Sequence, residues 1–276
     1  MLKFTAEQHR YESIVPDDIE WTSVTSFVSN FKQPFHAEKI SEKSAKNKKS
    51  KWYGMTPEAI REAWKSEAKR ATDLGTWYHN CRENDICSLD TIQRRGVEVP
   101  VFKPLYEDGI KLSPSQKLTE GVYPEHMVYL KSAGLCGQSD LVEVINNEVF
   151  ITDYKTNKEI KTAGYTNWEG VTQRMMPPLS HLDDCNLNHY AIQLSLYMYI
   201  ILKHNPKLRP GGLTIHHILF DEVGRDKYDN PITALDTEGN PIVKEVVQYD
   251  LPYMKQEIIS LMHWMEDNRT ALLAKR

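Results

Sequence analysis

Two β-rich segments joined by a pair of asparagines constrain the fold of this chain more than any other feature. Residues 136–145 and 148–156 are rich in branched and aromatic residues, and Asn146-Asn147 lies between them. A two-residue connection of this kind is typical of a tight β-hairpin, because asparagine tolerates the positive φ angles that the turn requires. The pattern therefore predicts two adjacent antiparallel strands.

The first third of the chain has a helical pattern. Thr56-Pro57 is typical of a helix start, because the hydroxyl group caps the helix and proline fits its first turn. Apolar residues then recur at helical spacing as far as Leu74. We expect Gly75 to interrupt this helix before a second helical run that carries His79.

The remaining segments predict further helices and strands around the hairpin. We expect helices at 187–203 and 253–273 and strands at 213–220 and 242–249. This order predicts an α/β fold in which helices flank a mixed sheet. We interpret residues 1–276 as one domain, with a helical extension at 1–72 and the core at 73–276.

Composition narrows the class of protein. The 276 residues include 34 Lys and Arg, 38 Asp and Glu, and 40% hydrophobic residues, which is typical of a globular chain. No segment reaches the roughly 18 apolar residues of a membrane span, and the N-terminus lacks the apolar core of a signal peptide. The four cysteines form no Cys-x-x-Cys pair, which favours reduced thiols. We therefore expect a cytoplasmic protein that does not contact a membrane.

The hairpin carries charged residues on a face that is otherwise apolar. Asp153 and Lys155 share a strand face with Val149 and Ile151, and Asp140 on the first strand can meet Asp153 across the hairpin. Two neighbouring carboxylates repel, and a divalent cation such as Mg²⁺ or Mn²⁺ removes that cost. The alternative is an Asp–Lys pair on an exposed edge strand, which is common for an isolated Asp-x-Lys.

Two predicted helices add polar side chains at helical spacing. One helical face carries His189, Gln193 and Tyr197, and another carries Thr76, His79 and Glu83. Buried polar groups need hydrogen-bond partners, so these faces are candidates for a site. The alternatives are a core helix whose Gln and Tyr satisfy backbone groups, and a structural histidine.

Taken in order, these motifs resemble the RecB-like branch of the PD-(D/E)xK nuclease superfamily, in particular its exonucleases. The motifs are Gly75-Thr-x-x-His79, Gly137-x-x-Asp140, Asp153-x-Lys155 and Gln193-x-x-x-Tyr197. The sequence is similar to phage-encoded members and to the mitochondrial genome-maintenance exonuclease. The resemblance implies a restriction-endonuclease-like core and a metal-dependent DNA exonuclease that acts in recombination, repair or phage replication.

The resemblance also implies a role for each matching residue. The implied ligands of Mg²⁺ or Mn²⁺ are His79, Asp140, Asp153 and the backbone carbonyl of Tyr154. The implied catalytic residues are Asp140, Asp153, Lys155, Glu125, Gln193 and Tyr197. Glu125 best fits the acidic residue that the family places before the Gly-x-x-Asp strand, and Glu120 is the alternative.

Partners and cofactors follow from the same resemblance. The implied substrate is DNA, as single strands or duplex ends, and a recombination or replication protein is a further candidate partner. No cysteine follows Cys185, so the thiolates of an iron–sulfur cluster are missing and no cluster is expected. The candidate DNA-binding residues are Thr76, Lys39, Lys43, Lys46, Lys48 and Lys49. The alternative for the lysines is a solvated helix face.

Several alternatives stay open at this point. The same site suits a structure-specific or flap endonuclease, and a non-catalytic DNA-binding subunit would keep the same fold. Cleavage of RNA instead of DNA is a further alternative. His181, Asp183, Asp184 and Cys185 precede the Gln193 helix and suggest either a zinc site or, in our preferred interpretation, an Asp that caps the helix.

Overall fold

The helices and strands follow from a computed structural model, which describes residues 2–5, 8, 10–15 and 17–273. The helices are α1 (Val24–Ser29), α2 (Ala37–Lys46), α3 (Pro57–Cys87), α4 (Asn186–His204) and α5 (Lys255–Leu273). The strands are β1 (Leu2–Thr5), β2 (Arg10–Ser13), β3 (Thr22–Ser23), β4 (Thr91–Arg94), β5 (Val97–Pro100), β6 (Leu105–Glu107), β7 (Ile110–Leu112), β8 (Gly121–Leu130), β9 (Leu135–Ile145), β10 (Glu148–Lys155), β11 (Arg209–Phe220), β12 (Glu222–Arg225), β13 (Pro231–Thr233) and β14 (Val243–Leu251).

The hairpin predicted at Asn146-Asn147 forms the middle of the main sheet. Its strands β9 and β10 pair antiparallel, with Glu148 opposite Ile145. Both asparagines have positive φ, 53° and 63°, as a two-residue hairpin turn requires. This prediction is confirmed.

The main sheet contains both strand directions. Its order is β14-β11-β10-β9, with β8 and β3 also paired to β9. The β10–β11 and β3–β9 pairs are parallel, whereas β9–β10, β8–β9 and β11–β14 are antiparallel. Two smaller hairpins, β4–β5 and β12–β13, and a four-stranded sheet in the order β2-β1-β7-β6 lie outside it.

Helices cover both faces of the main sheet. The largest core cluster joins α1, α4 and α5 to one face, and α4 contributes side chains such as Ile192, Leu194 and Met198. On the other face, Leu74 and Trp77 of α3 pack on Ile218 and Phe220 of β11. A helix that is apolar all round, as α4 is along much of its length, is stable only when buried. The chain is therefore a mixed α/β fold in which helices flank a mixed sheet, as the sequence predicts.

Two expectations for the first third of the chain are wrong. Residues 2–5 and 10–13 form strands, so the segment 1–72 is not a purely helical extension, and the boundary expected after residue 72 falls inside α3. Gly75 does not interrupt α3, which continues to Cys87. A β-carbon on Gly75 would lie 3.2 Å from Thr156 Oγ1, so this glycine permits a close approach between α3 and the end of β10.

Among the described residues, no helix combines the length and the apolar character that crossing a membrane requires.

Candidate metal centre

A break in the pairing of β9 opens the sheet at the centre of the molecule. One edge of β9 is paired to β8 along most of its length. The opposite edge pairs with β10 from Leu141 onward and with β3 only at Leu135 and Cys136. Residues 137–140, the Gly-Gln-Ser-Asp motif, lie between these two pairings and are part of neither. A cavity of about 680 Å³ lies beside this break.

Three acidic residues occupy matching positions on three neighbouring strands. The pairs Pro124–Leu141 and His126–Ser139 flank Glu125 and Asp140, so these two residues are opposite each other on β8 and β9. Thr152 on β10 pairs with Leu141 on β9, and because these strands are antiparallel the next residue on β10, Asp153, comes opposite Asp140. The side chains of Glu125 and Asp153 are almost fully buried, with 8% and 4% exposed. Register thus collects three carboxylates at one point of the sheet.

Glu125 has a backbone conformation that non-glycine residues rarely adopt. Its φ is 48°, in the middle of a strand. The inward alternation of β8 reverses there, because Tyr123 before it and Val128 after it both join the main core. Such a conformation costs on the order of 1–3 kcal/mol and persists only where surrounding contacts impose it. One such contact is the Gln138 amide, which donates a hydrogen bond to Glu125 Oε2.

His79 of α3 connects two of these carboxylates to the backbone of β10. Its Nδ1 lies 3.4 Å from Glu125 Oε1 and 3.5 Å from Asp140 Oδ1, and its Nε2 lies 3.3 Å from the Tyr154 carbonyl oxygen. The Tyr154 N–H in turn donates to Asp140 Oδ2 at 2.7 Å. One ligand atom each from His79, Glu125 and Asp140 can be chosen so that all three lie within 4.8 Å of one another. The Tyr154 carbonyl oxygen lies beside the other ring nitrogen, Nε2, rather than beside the Nδ1 that faces the carboxylates.

The contacts of Asp153 differ from those that the sequence predicts for a metal ligand. Its carboxylate forms an ion pair with the Lys155 ammonium group and is not a member of the compact His79–Glu125–Asp140 group. The ammonium group of Lys155 balances the charge of Asp153. Burial alone would lower the pKa of Lys155, but the charges of Asp153 and Asp140 outweigh it and raise that pKa.

The remaining residues of the motifs also line the cavity. Thr76, Gln193 and Tyr197 are all on its wall. A β-carbon on Gly137 would lie 2.7 Å from a ring carbon of Tyr197, so the glycine of the Gly-x-x-Asp motif makes room for this tyrosine. Glu120, the alternative to Glu125, instead accepts a hydrogen bond from the Asn146 N–H at the hairpin turn.

The cavity is short of positive charge. Its walls carry four carboxylates, from Glu83, Glu125, Asp140 and Asp153, against the ammonium groups of Lys111 and Lys155. Burial, then the charge of Asp153, raise the pKa of Asp140 to about 8. Burial alone would lower the pKa of His79, but its hydrogen bond to Glu125 and the charge of Asp140 raise it to about 9. Both shifts favour the protonated forms of Asp140 and His79 near neutral pH.

The donor set fits a divalent cation. Carboxylate and carbonyl oxygens are the ligands that Mg²⁺ and Mn²⁺ prefer, and the imidazole adds a nitrogen ligand of the kind that transition-metal ions bind. A divalent ion would bring positive charge to these carboxylates and compete with the protons that the raised pKa values of Asp140 and His79 favour. His79, Glu125, Asp140 and the Tyr154 carbonyl are the groups that would hold it.

The predicted DNA-binding lysines lie elsewhere. Lys39, Lys43 and Lys46 are exposed on α2, and Lys48 and Lys49 are exposed in the turn after it. None of them lines the cavity. Helix α2 packs beside Arg61, whose Nη1 donates to Ser41 Oγ at 3.0 Å. Arg61 is about 27 Å from His79 along the axis of α3.

The sequence interpretation missed Lys111 and Tyr106, which also line the cavity. Lys111 is on β7 and is only 5% exposed, whereas its neighbours Ile110 and Leu112 are partly exposed. Strand alternation would predict the reverse, so no pattern in the sequence identifies this lysine. Asp108-Gly109 is a hairpin signal that could have revealed β6 and β7.

The second cluster of potential ligands is a structural clasp. Asp184 accepts hydrogen bonds from the Gln33 N–H at 3.1 Å and from Gln173 Nε2 at 2.9 Å, and its other oxygen lies 2.6 Å from His189 Nε2. The N-cap of α4 is Cys185, and no side chain makes the capping hydrogen bond. The expected cap by Asp183 or Asp184 is therefore wrong, because these carboxylates bind neighbouring loops instead.

Comparison of the chain with protein-family models, with curated proteins and with solved structures finds no match. The functional argument for the centre therefore rests on its geometry and on the chemistry of its donors.

Proposed function

We propose that this chain is a metal-dependent deoxyribonuclease that hydrolyses phosphodiester bonds, an exonuclease of the RecB-like branch with a PD-(D/E)xK core. The observation that carries the proposal is the meeting of His79, Glu125 and Asp140 beside the Asp153–Lys155 pair in one cavity. The four ordered motifs of the sequence thus supply side chains to a single wall, although they are up to about 120 residues apart.

The chain's own residues divide the work of the reaction. When bound, a divalent cation supplies a nucleophilic water and neutralises charge that develops on the phosphate. Lys155 stays protonated at neutral pH because the neighbouring carboxylates raise its pKa. While paired with Asp153, it therefore acts as a hydrogen-bond donor to the attacking water. The carboxylates of the cavity are left to accept the proton of that water.

Helices α3 and α4 supply groups suited to orienting a nucleic-acid strand. Thr76 of α3 and Gln193 of α4 are on the cavity wall, where a hydroxyl and an amide can donate to phosphate or sugar oxygens. Tyr197 is buried against Gly137, so it fixes the distance between α4 and β9. We assign Tyr197 to positioning and Gln193 to substrate contact.

Incubation with defined DNA substrates tests the proposal. The purified chain is mixed with Mg²⁺ or Mn²⁺ and with linear single-stranded, linear duplex or circular DNA. Loss of linear DNA from its ends supports an exonuclease, and nicking of circles indicates an endonuclease with the same centre. Cleavage must disappear in Asp153→Asn and in Lys155→Met, and it must persist in Lys103→Met, which changes a lysine paired with Asp90. Cleavage of no substrate with either metal overturns the proposal.

A further inference from the structure

The four-stranded sheet β2-β1-β7-β6, called the small N-terminal sheet below, places the buried side chain of Lys111 beside the cavity. Lys111 of β7 pairs with Phe4 of β1 and with Tyr106 of β6, and all three residues line the cavity. The Lys111 side chain is 6% exposed. A lysine is rarely buried to this degree unless a charge partner or a function compensates for the lost hydration.

Carboxylates surround this ammonium group, but none of those described is within hydrogen-bond distance of it. Lys111 Nζ lies 4.0 Å from Glu125 Oε2, the outer limit of an ion pair and beyond hydrogen-bond distance. That oxygen already accepts a hydrogen bond from Gln138. The Tyr106 ring centroid lies 5.8 Å from the ammonium group, at the far end of the cation–π range. Glu125 is thus satisfied without Lys111, and the ammonium group retains its N–H donors.

The two lysines of the cavity differ in whether their ammonium groups form a direct ion pair. Lys155 is in close contact with Asp153 through a direct ion pair. The ammonium group of Lys111 makes no hydrogen bond with any of the described residues, yet the residue lies on the cavity wall. A strand of DNA that enters the cavity brings a phosphate charge beside this wall, and a phosphate oxygen would accept the free donors of Lys111.

We propose that Lys111 is the phosphate-binding residue of the cavity and that the small N-terminal sheet is therefore part of the nucleic-acid site. The substrate class in this inference rests on the proposed function. Lys111 binds a backbone phosphate of the strand, whereas Lys155 stays with Asp153. The same ammonium group opposes binding of a metal cation, because it lies beside the carboxylate of Glu125.

This role predicts opposite effects on two ligands when the charge of Lys111 is removed. Lys111→Met should weaken binding of single-stranded DNA about 5- to 30-fold at low salt, because one phosphate contact is lost. The same variant should bind Mn²⁺ about 2- to 10-fold more tightly, because a like charge is removed from the cation's surroundings. A lysine that only supports the fold would weaken both.

The salt dependence of DNA binding separates a phosphate contact from a structural role. A labelled oligo-dT is titrated in Mn²⁺ with Asp140→Asn as the parent, so that cleavage does not interfere and Lys155 keeps its ion pair with Asp153. Removing one phosphate contact should lower the slope of log affinity against log salt by about 0.7. Lys111→Met and the polar variant Lys111→Gln should both lower it, and Lys111→Arg should keep the parent slope. Lys103→Met is the matched control, because it removes a neighbouring lysine charge outside the cavity.

The outcomes keep this inference apart from the proposed function. A lowered slope in a chain whose wild type cleaves no DNA upholds the inference and overturns the function. Cleavage by the wild type with an unchanged slope in both Lys111→Met and Lys111→Gln does the reverse. No binding of oligo-dT by the parent overturns the inference, as does a slope that Lys103→Met lowers equally. Thermal unfolding of each variant identifies any that fails to fold, and the slope is then taken from the folded ones.

Discussion

Two histidine–aspartate pairs in this molecule have similar composition and opposite character. His79 faces Asp140 in the central cavity, and His189 faces Asp184 beside the start of α4. Every oxygen of Asp184 has a protein partner. The pKa of His189 is lowered, mainly by burial. The pKa of His79 is raised to about 9, because carboxylates outnumber cations around it.

The comparison shows what distinguishes a ligand site from a structural contact. In the clasp of Asp184 and His189, the backbone N–H of Gln33 and the side-chain amide of Gln173 donate hydrogen bonds to the carboxylate. In the cavity, three strands bring carboxylates together, and the carboxylates outnumber the ammonium groups on the cavity wall. Residue types alone do not separate the two cases, whereas the balance of charge around them does.

The largest difference should appear when each aspartate loses its charge. Asp140→Asn should lower cleavage on the order of 10³-fold, because it removes a ligand and a charge from the centre. Asp184→Asn should leave the turnover number unchanged and lower the free energy of unfolding by about 1–3 kcal/mol, because one of its accepted hydrogen bonds is lost. Single-turnover cleavage and chemical denaturation measure the two effects. Equal loss of cleavage in both variants would remove the distinction.

Replacing each histidine by glutamine should give a smaller difference, which is confined to the affinity for Mn²⁺. His79→Gln should weaken Mn²⁺ binding by about 10- to 100-fold, because glutamine is a poorer ligand than imidazole. His189→Gln should bind Mn²⁺ as the wild type does. Calorimetric titration measures both affinities. Retention of full affinity in His79→Gln would show that the cation binds elsewhere.

The next largest effect is the pH dependence of stability, because the pKa values of Asp140 and His79 are raised in the cavity whereas the pKa of His189 is lowered in the clasp. Both Asp140 and His79 have raised pKa values in the folded protein, about 8 and about 9. Such groups stabilise the fold at low pH, and this contribution is lost as the pH rises through the folded pKa. The metal-free protein should therefore lose stability from about pH 4, where Asp140 ionises in the unfolded chain, to about pH 9, and Mn²⁺ should raise the melting temperature more at about pH 8.5 than at pH 6.5. A larger Mn²⁺ effect at the lower pH would contradict this.

The smallest effect concerns the packing that shapes the cavity wall. Gly137→Ala should lower the free energy of unfolding by about 1–3 kcal/mol, because the new methyl group meets the Tyr197 ring at 2.7 Å. Gly224→Ala is the control, since a β-carbon there meets nothing within 4 Å. Denaturant unfolding of the two variants gives the comparison. A Gly137→Ala protein as stable as the control would show that Tyr197 can move away freely.

The sequence predicts the parts of the fold whose signals are local. The asparagine turn, the strand alternation around Asp153 and the long apolar helix of α4 each follow from neighbouring residues. The convergence of Asp140 and His79 could be expected only through the ordered motifs. In these cases a periodic pattern and a tertiary contact agree.

The missed features depend on contacts between distant segments. The strands β1 and β7 are short, and they pair across more than 100 residues, which no local pattern reveals. Lys111 is buried because β7 packs against this neighbour and not because of its own alternation. Gly75 has the low helix propensity that predicts a break, but the close approach of Thr156 explains why glycine stands in a continuous helix. Glu125 has a positive φ that its sequence gives no reason to expect.

The central claim is that His79, Glu125 and Asp140 bind a divalent cation, which displaces protons that the raised pKa values of His79 and Asp140 favour. Calorimetric titration of Mn²⁺ at about pH 7, repeated in buffers of different ionisation enthalpy, counts the protons released on binding. Because the pKa values of Asp140 and His79 are both raised, the account predicts a net release of protons when Mn²⁺ binds. Asp140→Asn should release fewer protons than the wild type. Binding of Mn²⁺ without proton release would contradict the account.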